Sequence, residues 1–203
     1  MNYSKVMEDI ISSFNGEKKK LLLHSCCAPC SSHVIETLTP YFDITILYYN
    51  PNIEPYEEYE KRKNEEIRFI NEFPHTNKID IMDCDYDNDK FHDICKGLED
   101  LEEGGPRCIK CYYLRLEKTA SEAKKGRYDY FCTTLTVSPY KNSQKLNGIG
   151  KVLEEKYNIK YLYSDFKKKE GYKRSIELSK QYNLYRQDYC GCIYSKRNKK
   201  DSN

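Results

Sequence analysis

Short apolar runs alternate with longer amphipathic stretches along the 203-residue chain. Lys20–His24 (KLLLH) and Asp43–Tyr49 (DITILYY) are continuous enough in Leu, Ile and Tyr to be buried strands, and 78–82, Tyr128–Thr133 and Lys160–Tyr163 are shorter runs of the same kind. Helical patterns lie between them: Pro29–Leu38 with Pro in its first turn, Tyr56–Phe73, about Cys108–Lys125, about Ser143–Tyr157 and Gly171–Tyr182. Asn50–Pro55 is a loop by its prolines, Gly104-Gly105-Pro106 a break, and Ser138-Pro139 a turn. Strands alternating with helices at this interval predict an α/β fold, a mostly parallel five-stranded sheet covered by helices on both faces. One domain is expected over residues 1–195, followed by a basic, unstructured tail over 196–203.

In a sheet of this kind ligands bind beyond the carboxyl ends of the strands. Cys26, Cys27 and Cys30 follow the first strand, Asn50–Pro55 follows the second, and Thr133–Lys141 follows the fourth. The pattern therefore brings the chemically capable residues to one edge. No apolar run approaches the length needed to cross a bilayer, and the N-terminus carries acids where a signal peptide has basic then apolar residues. A cytoplasmic location is expected. In that reducing compartment ten cysteines point to metal or redox chemistry rather than a disulfide framework.

Net charge is only +2, but residues 1–106 hold 11 Lys/Arg against 22 Asp/Glu and residues 107–203 hold 23 against 10. A positive half suits a polyanion such as RNA, and it equally describes a lysine-rich solvated surface.

His24-Ser25-Cys26-Cys27-Ala28-Pro29-Cys30 places three thiols at a strand-to-helix turn. The positive end of the following helix favours thiolates there. Cys108 and Cys111 open another helix, one turn apart on one face, and Arg115 continues that face. Four such thiols suffice for a structural zinc site, whereas five converging thiolates exceed one zinc and suit an iron–sulfur cluster; spacing leaves both open. Cys190-Gly191-Cys192 is read as a redox-active pair, because a disulfide across one residue closes a strained, reducible ring; further metal ligands are the other reading. Cys84, Cys95 and Cys132 are isolated and read as small buried hydrophobes. His24 is either a ligand or proton donor, or a hydrogen-bonded core residue. Arg62, Arg107 and Arg115 are candidate phosphate clamps, with packing the default for each.

LLLHSCCAPCS, YYNPNIEPYEEYEKR, RCIKCYYLRLEKTA, FCTTLTVSPYKN and YRQDYCGC, in this order over roughly residues 20–195, resemble the QueH-type epoxyqueuosine reductases. The resemblance implies an adenine-nucleotide-hydrolase-like fold and a cobalamin-independent oxidoreductase. Its substrate would be tRNA carrying epoxyqueuosine at the wobble position, whose epoxide is reduced to the alkene of queuosine. It further implies a 4Fe–4S cluster held by Cys26, Cys27, Cys108 and Cys111, with an additional iron, or a substituting divalent metal, beside it and Cys30 as its ligand. Cys190 and Cys192 become the redox pair, fed by a low-potential electron donor. His24, Tyr140 and Lys141 are the candidate proton donors. Two rivals are an iron–sulfur tRNA thiolase and a zinc-stapled RNA-binding module without catalysis. The thiolase requires a glycine-rich nucleotide loop where HSCCAPC stands.

Overall fold

A computed structural model describes residues 1–75, 77 and 79–200, the last four by backbone alone. Five parallel strands form the sheet: β1 (Lys19–His24), β2 (Phe42–Leu47), β3 (Asp80–Met82), β4 (Tyr130–Thr133) and β5 (Lys160–Tyr161). Their spatial order is β3-β2-β1-β4-β5. The helices are α1 (Tyr3–Ser12), α2 (Ala28–Leu38), α3 (Tyr56–Glu72), α4 (Asn88–Cys95), α5 (Pro106–Lys125), α6 (Ser143–Tyr157), α7 (Gly171–Gln181) and α8 (Ile193–Lys200), with a 3-10 turn at Thr134–Val137. The chain winds outward from β1 to β3, then crosses back to place β4 on the other side of β1. This is the expected fold class. The reversal opens a crevice between the carboxyl ends of β1 and β4, where such sheets bind their ligands.

β1 explains why its sequence is apolar on both faces. Leu21 and Leu23 join Ile44, Ile46, Val34, Ile35, Phe69 and Leu178 on the side covered by α2, α3 and α7. Leu22 points the other way, into Phe131, Leu116, Ala120, Leu146 and Leu153 beneath α5 and α6. Each of these leucines is fully buried, contributing about 1.5–3 kcal/mol against exposure. Gly150 lets α6 close onto the sheet: a Cβ there would lie 2.3 Å from the ring of Tyr161.

Several boundaries differ from expectation. β5 stops at Tyr161, and β3 is described only from Asp80, since part of the 78–82 run lies outside the described residues. α1 begins on Asn2, whose side chain accepts from the Lys5 amide at 3.3 Å. α4 forms inside the acidic segment because Phe91 and Cys95, one turn apart, bury against α5. The tail expected from residue 196 instead continues α8 to Lys200, whose first turn is anchored by the buried Cys192, Tyr194 and Ser195; residues 201–203 lie outside the described part. No helix among the described residues is long and apolar enough to cross a membrane.

Candidate metal centre

The turn after β1 is built by backbone geometry. Cys27 is the extended residue before α2, and its carbonyl accepts from the amides of Cys30 and Ser31 at 3.0 and 3.1 Å. Asn50, after β2, donates to the Ser25 carbonyl at 2.8 Å and ties this turn to the neighbouring loop. The Sγ atoms of Cys26, Cys27 and Cys30 consequently all lie within 4.8 Å of one another. Such a group of soft donors is able to hold a metal ion.

The three thiols share their charge unequally. Hydrogen bonds from Cys27 and Cys30, and then the cations of Lys141 and Arg115, hold the Cys26 thiol well below the ordinary range. The same contacts push Cys27 and Cys30 upward. Gln187, far along the chain, donates to Cys27 Sγ at 2.9 Å.

Cys108 and Cys111 stand on the first two turns of α5, outside that 4.8 Å group. The Gly104 amide donates to Cys108 Sγ at 3.2 Å. Burial pushes the Cys111 thiol up to about 12, although Arg115 opposes the shift. A cavity of about 480 Å³ opens over Cys26, Cys30 and Cys190, with Lys141, Tyr172 and Gln187 in its wall.

Cys190 and Cys192 face opposite ways. Cys190 lines the cavity, whereas Cys192 packs with Cys95, Cys111, Phe91 and Tyr194. Glu54 N donates to the Gly191 carbonyl at 2.9 Å, Tyr189 Oη to the Glu54 carbonyl at 2.7 Å, and Arg62 Nη1 to the Cys190 carbonyl at 3.3 Å. Gly191 has φ +101°, and a Cβ there would lie 2.9 Å from Ile53 and 3.0 Å from Arg62.

The charged groups divide by what they meet. Arg62 is paired with Glu58 at 2.7 Å. Arg107 donates to the carbonyls of Leu98, Glu99 and Leu101, clamping the loop before α5. Both arginines are buried, as is Arg115, so none offers a phosphate clamp at the surface. Arg115 is 1% exposed, has an Nη2 without a hydrogen-bond partner, and forms no ion pair among the described residues. Burial opposes its charge, and the neighbouring Cys111, Cys190 and Cys26 favour it. Lys141, half-buried in the cavity wall, is likewise raised, by Cys190, Tyr112 and Cys26 against burial. A buried cation lacking a carboxylate is costly unless another anion compensates it. The anion supplied beside it is the Cys26 thiolate, so the surroundings fit a negatively charged metal–thiolate centre.

His24 lies in the core rather than in the cavity wall. Its Nε2 faces the Tyr49 carbonyl at 3.2 Å, which can only accept, and its Nδ1 lies 3.0 Å from Thr133 Oγ1. Burial, then the nearby Arg115, lowers its pKa to about 3, so the ring is neutral. This matches the core reading of His24 and leaves it no free nitrogen to offer a substrate.

Two features had no clear signal in the sequence. Gln187 sits in the quoted YRQDYCGC stretch, but its contact with Cys27 depends on the fold. Glu66, one of many acids on α3, is wholly buried with both carboxylate oxygens lacking hydrogen-bond partners. Burial pushes it up to about 8, with the Ser31 and Ser25 hydroxyls beside it opposing the shift.

A family model described as "Epoxyqueuosine reductase QueH" matches residues 21–198. Curated relatives with that name include a Staphylococcus epidermidis protein, 45% identical over 96% of this chain and 84% of its own length. A Streptococcus pyogenes protein is 42% identical over 96% of this chain and 78% of its own. A Staphylococcus aureus protein is 41% identical over 96% and 84%, respectively.

Proposed function

The chain belongs to the epoxyqueuosine reductase QueH family, and from that premise we propose that it reduces the epoxide of epoxyqueuosine at the wobble position of tRNA to the cyclopentene of queuosine. In this reading it is a cytoplasmic oxidoreductase whose catalytic domain spans residues 1–195, with α8 continuing beyond it to Lys200. The observation that carries the metal-dependent part is Arg115: a buried guanidinium without a carboxylate partner, surrounded by Cys26, Cys111 and Cys190.

Cys26 and Cys27 from the β1–α2 turn, with Cys108 and Cys111 from α5, hold a 4Fe–4S cluster, and Cys30 ligates an additional iron or substituting divalent metal beside it. The wider separation of the α5 thiols from the three-thiol group suits a multi-iron cluster better than one ion. When bound, the cluster supplies electrons singly and the adjacent metal supplies a Lewis acid. Arg115 and Lys141 balance the thiolate charge, and Gln187 orients Cys27 through its 2.9 Å hydrogen bond.

Removing the epoxide oxygen as water takes two electrons and two protons. Oxidation of the Cys190/Cys192 dithiol to its disulfide releases two of each, and a low-potential donor then restores the dithiol. Cys190 faces the cavity where the nucleoside binds, and Lys141 presents an ammonium N–H in the same wall. His24 acts by position, bracing the ends of β1 and β4 through Thr133.

The test is anaerobic incubation of metal-loaded protein with epoxyqueuosine-containing tRNA and a strong reductant, followed by nucleoside mass spectrometry. Loss of one oxygen is expected. Retention of that oxygen by protein carrying iron and acid-labile sulfide overturns the reductase reading, and stoichiometric zinc without sulfide overturns the cluster.

A further inference from the structure

Beside the thiol cavity lies a second depression of about 570 Å³, between the start of α6, the loop after the 3-10 turn, and the loop after β5. Tyr140 and Lys141 line both spaces and form the ridge between them. Tyr140 is 80% exposed and makes no ring or cation contact among the described residues. Tyr48, Tyr59, Tyr86, Tyr161 and Tyr163 by contrast pack against other rings, and Tyr140 stands well above Tyr41 and Tyr56 in exposure.

Charge in this groove is one-sided. Lys141, Lys167 and Lys168 line it against one carboxylate, Asp165. That carboxylate is already engaged: Lys167 Nζ lies 2.8 Å from Oδ1, and Ser143 Oγ donates to Oδ2 at 3.1 Å. Lys167 Nζ also lies 3.4 Å from the carbonyls of Thr136 and Lys141, which holds it in the wall. Lys168 is exposed and has no ion pair among the described residues. The positive end of the 15-residue α6 adds to the same field. At the opposite edge of the sheet the β3–α4 region carries Asp83 and Asp87, paired with Lys63 and Lys90, together with Asp85 and Asp89, which repel a polyanion.

A nucleoside within an RNA chain enters a cavity only if its neighbours cross the rim. Resting on the substrate proposed above, we propose that the anticodon strand flanking the modified nucleoside runs along this second groove. A phosphate lies against Lys168 and the start of α6, and the neighbouring base stacks on Tyr140, so that the wobble nucleoside turns into the thiol cavity. Unstacked RNA bases are commonly received on an exposed aromatic ring beside cations.

The experiment uses metal-loaded full-length protein and a fluorescent anticodon stem-loop RNA, with binding measured across a salt series. Tyr140→Ala should weaken binding by about 5- to 150-fold, the range for losing one base–aromatic stack, and Tyr140→Phe should restore most of it. Lys168→Glu should weaken binding and flatten the plot of log affinity against log salt by about 0.7 or more. Iron content and thermal melting check that each variant folds and loads. Wild-type affinity in both Tyr140→Ala and Lys168→Glu overturns the surface, as does competition by polyglutamate equal to that by RNA. Lost RNA binding in the variants, with no deoxygenation even by the parent protein, would leave the surface standing and remove the reductase reading. Deoxygenation by the variants at unchanged KM for tRNA would do the reverse.

Discussion

The two cysteine turns of this molecule are held by different forces. Cys26, Cys27 and Cys30 occupy a strand-to-helix turn whose geometry follows from β1 and α2, with the Cys27 carbonyl already inside the helical hydrogen-bond pattern. Cys190-Gly191-Cys192 belongs to no regular element until α8 begins at Ile193. It is fastened from outside, by Arg62, Glu54 and Tyr189. The first turn is rigid because the sheet is rigid, which suits a metal site needing fixed donors. The second depends on a few tertiary hydrogen bonds, which suits a pair that must change geometry between dithiol and disulfide.

The largest effect should come from deleting one thiol in each turn. Cys26→Ala, like Cys108→Ala, is expected to abolish iron loading and activity together. Cys190→Ala is expected to leave iron and sulfide content near wild type while lowering turnover on the order of 10³-fold. Loss of iron from Cys190→Ala would move Cys190 into the ligand set and erase the contrast between the turns.

A smaller change targets the fastening rather than the thiols. In Gly191→Ala the new methyl group meets Ile53 and Arg62, at a φ of +101° that side chains rarely adopt. Thermal melting should show a loss of about 1–3 kcal/mol, and turnover should fall by up to about 10²-fold as Cys190 shifts, with metal content preserved. An unchanged rate would mean the second turn tolerates displacement.

The smallest effect concerns the buried support of the first turn. The pKa of Glu66 is raised from 4.5 to about 8, so the stability it contributes is fully present below about pH 4.5 and lost as pH rises through 8. Glu66→Gln removes that dependence. Relative to wild type the variant should gain stability between pH 5 and pH 9, by about 1–3 kcal/mol at the upper end. Denaturant midpoints at the two pH values measure this, and a difference that does not grow with pH would place the carboxylate in contact with water.

Much of the architecture was legible in the sequence because its cause is local. KLLLH reads as a strand since Leu21–Leu23 are buried on both faces, DITILYY since its Ile, Leu and Tyr run is interrupted only at Thr45, and Pro29 and Pro106 sit where helices begin. α4 was hidden among acids because only Phe91 and Cys95 mark its buried side, and α8 was hidden by its basic composition. At the site, the thiols were legible by spacing. The neutrality of His24, the isolation of Arg115 and the burial of Glu66 were not, since each depends on what other elements bring against it.

By itself the sequence determined the order of the five strands and of the five longer helices between and after them, the three-thiol turn, the cysteine pair opening α5, and membership of the family. Only the tertiary structure decided that Cys190 faces the cavity while Cys192 faces away, that Gln187 reaches Cys27 across 160 positions of chain, and that Tyr140 divides two spaces. The reason is one of range. Periodicity and capping act over a few residues and are written in neighbouring letters, whereas contacts across the β1–β4 crevice exist only after the sheet has set which distant segments meet.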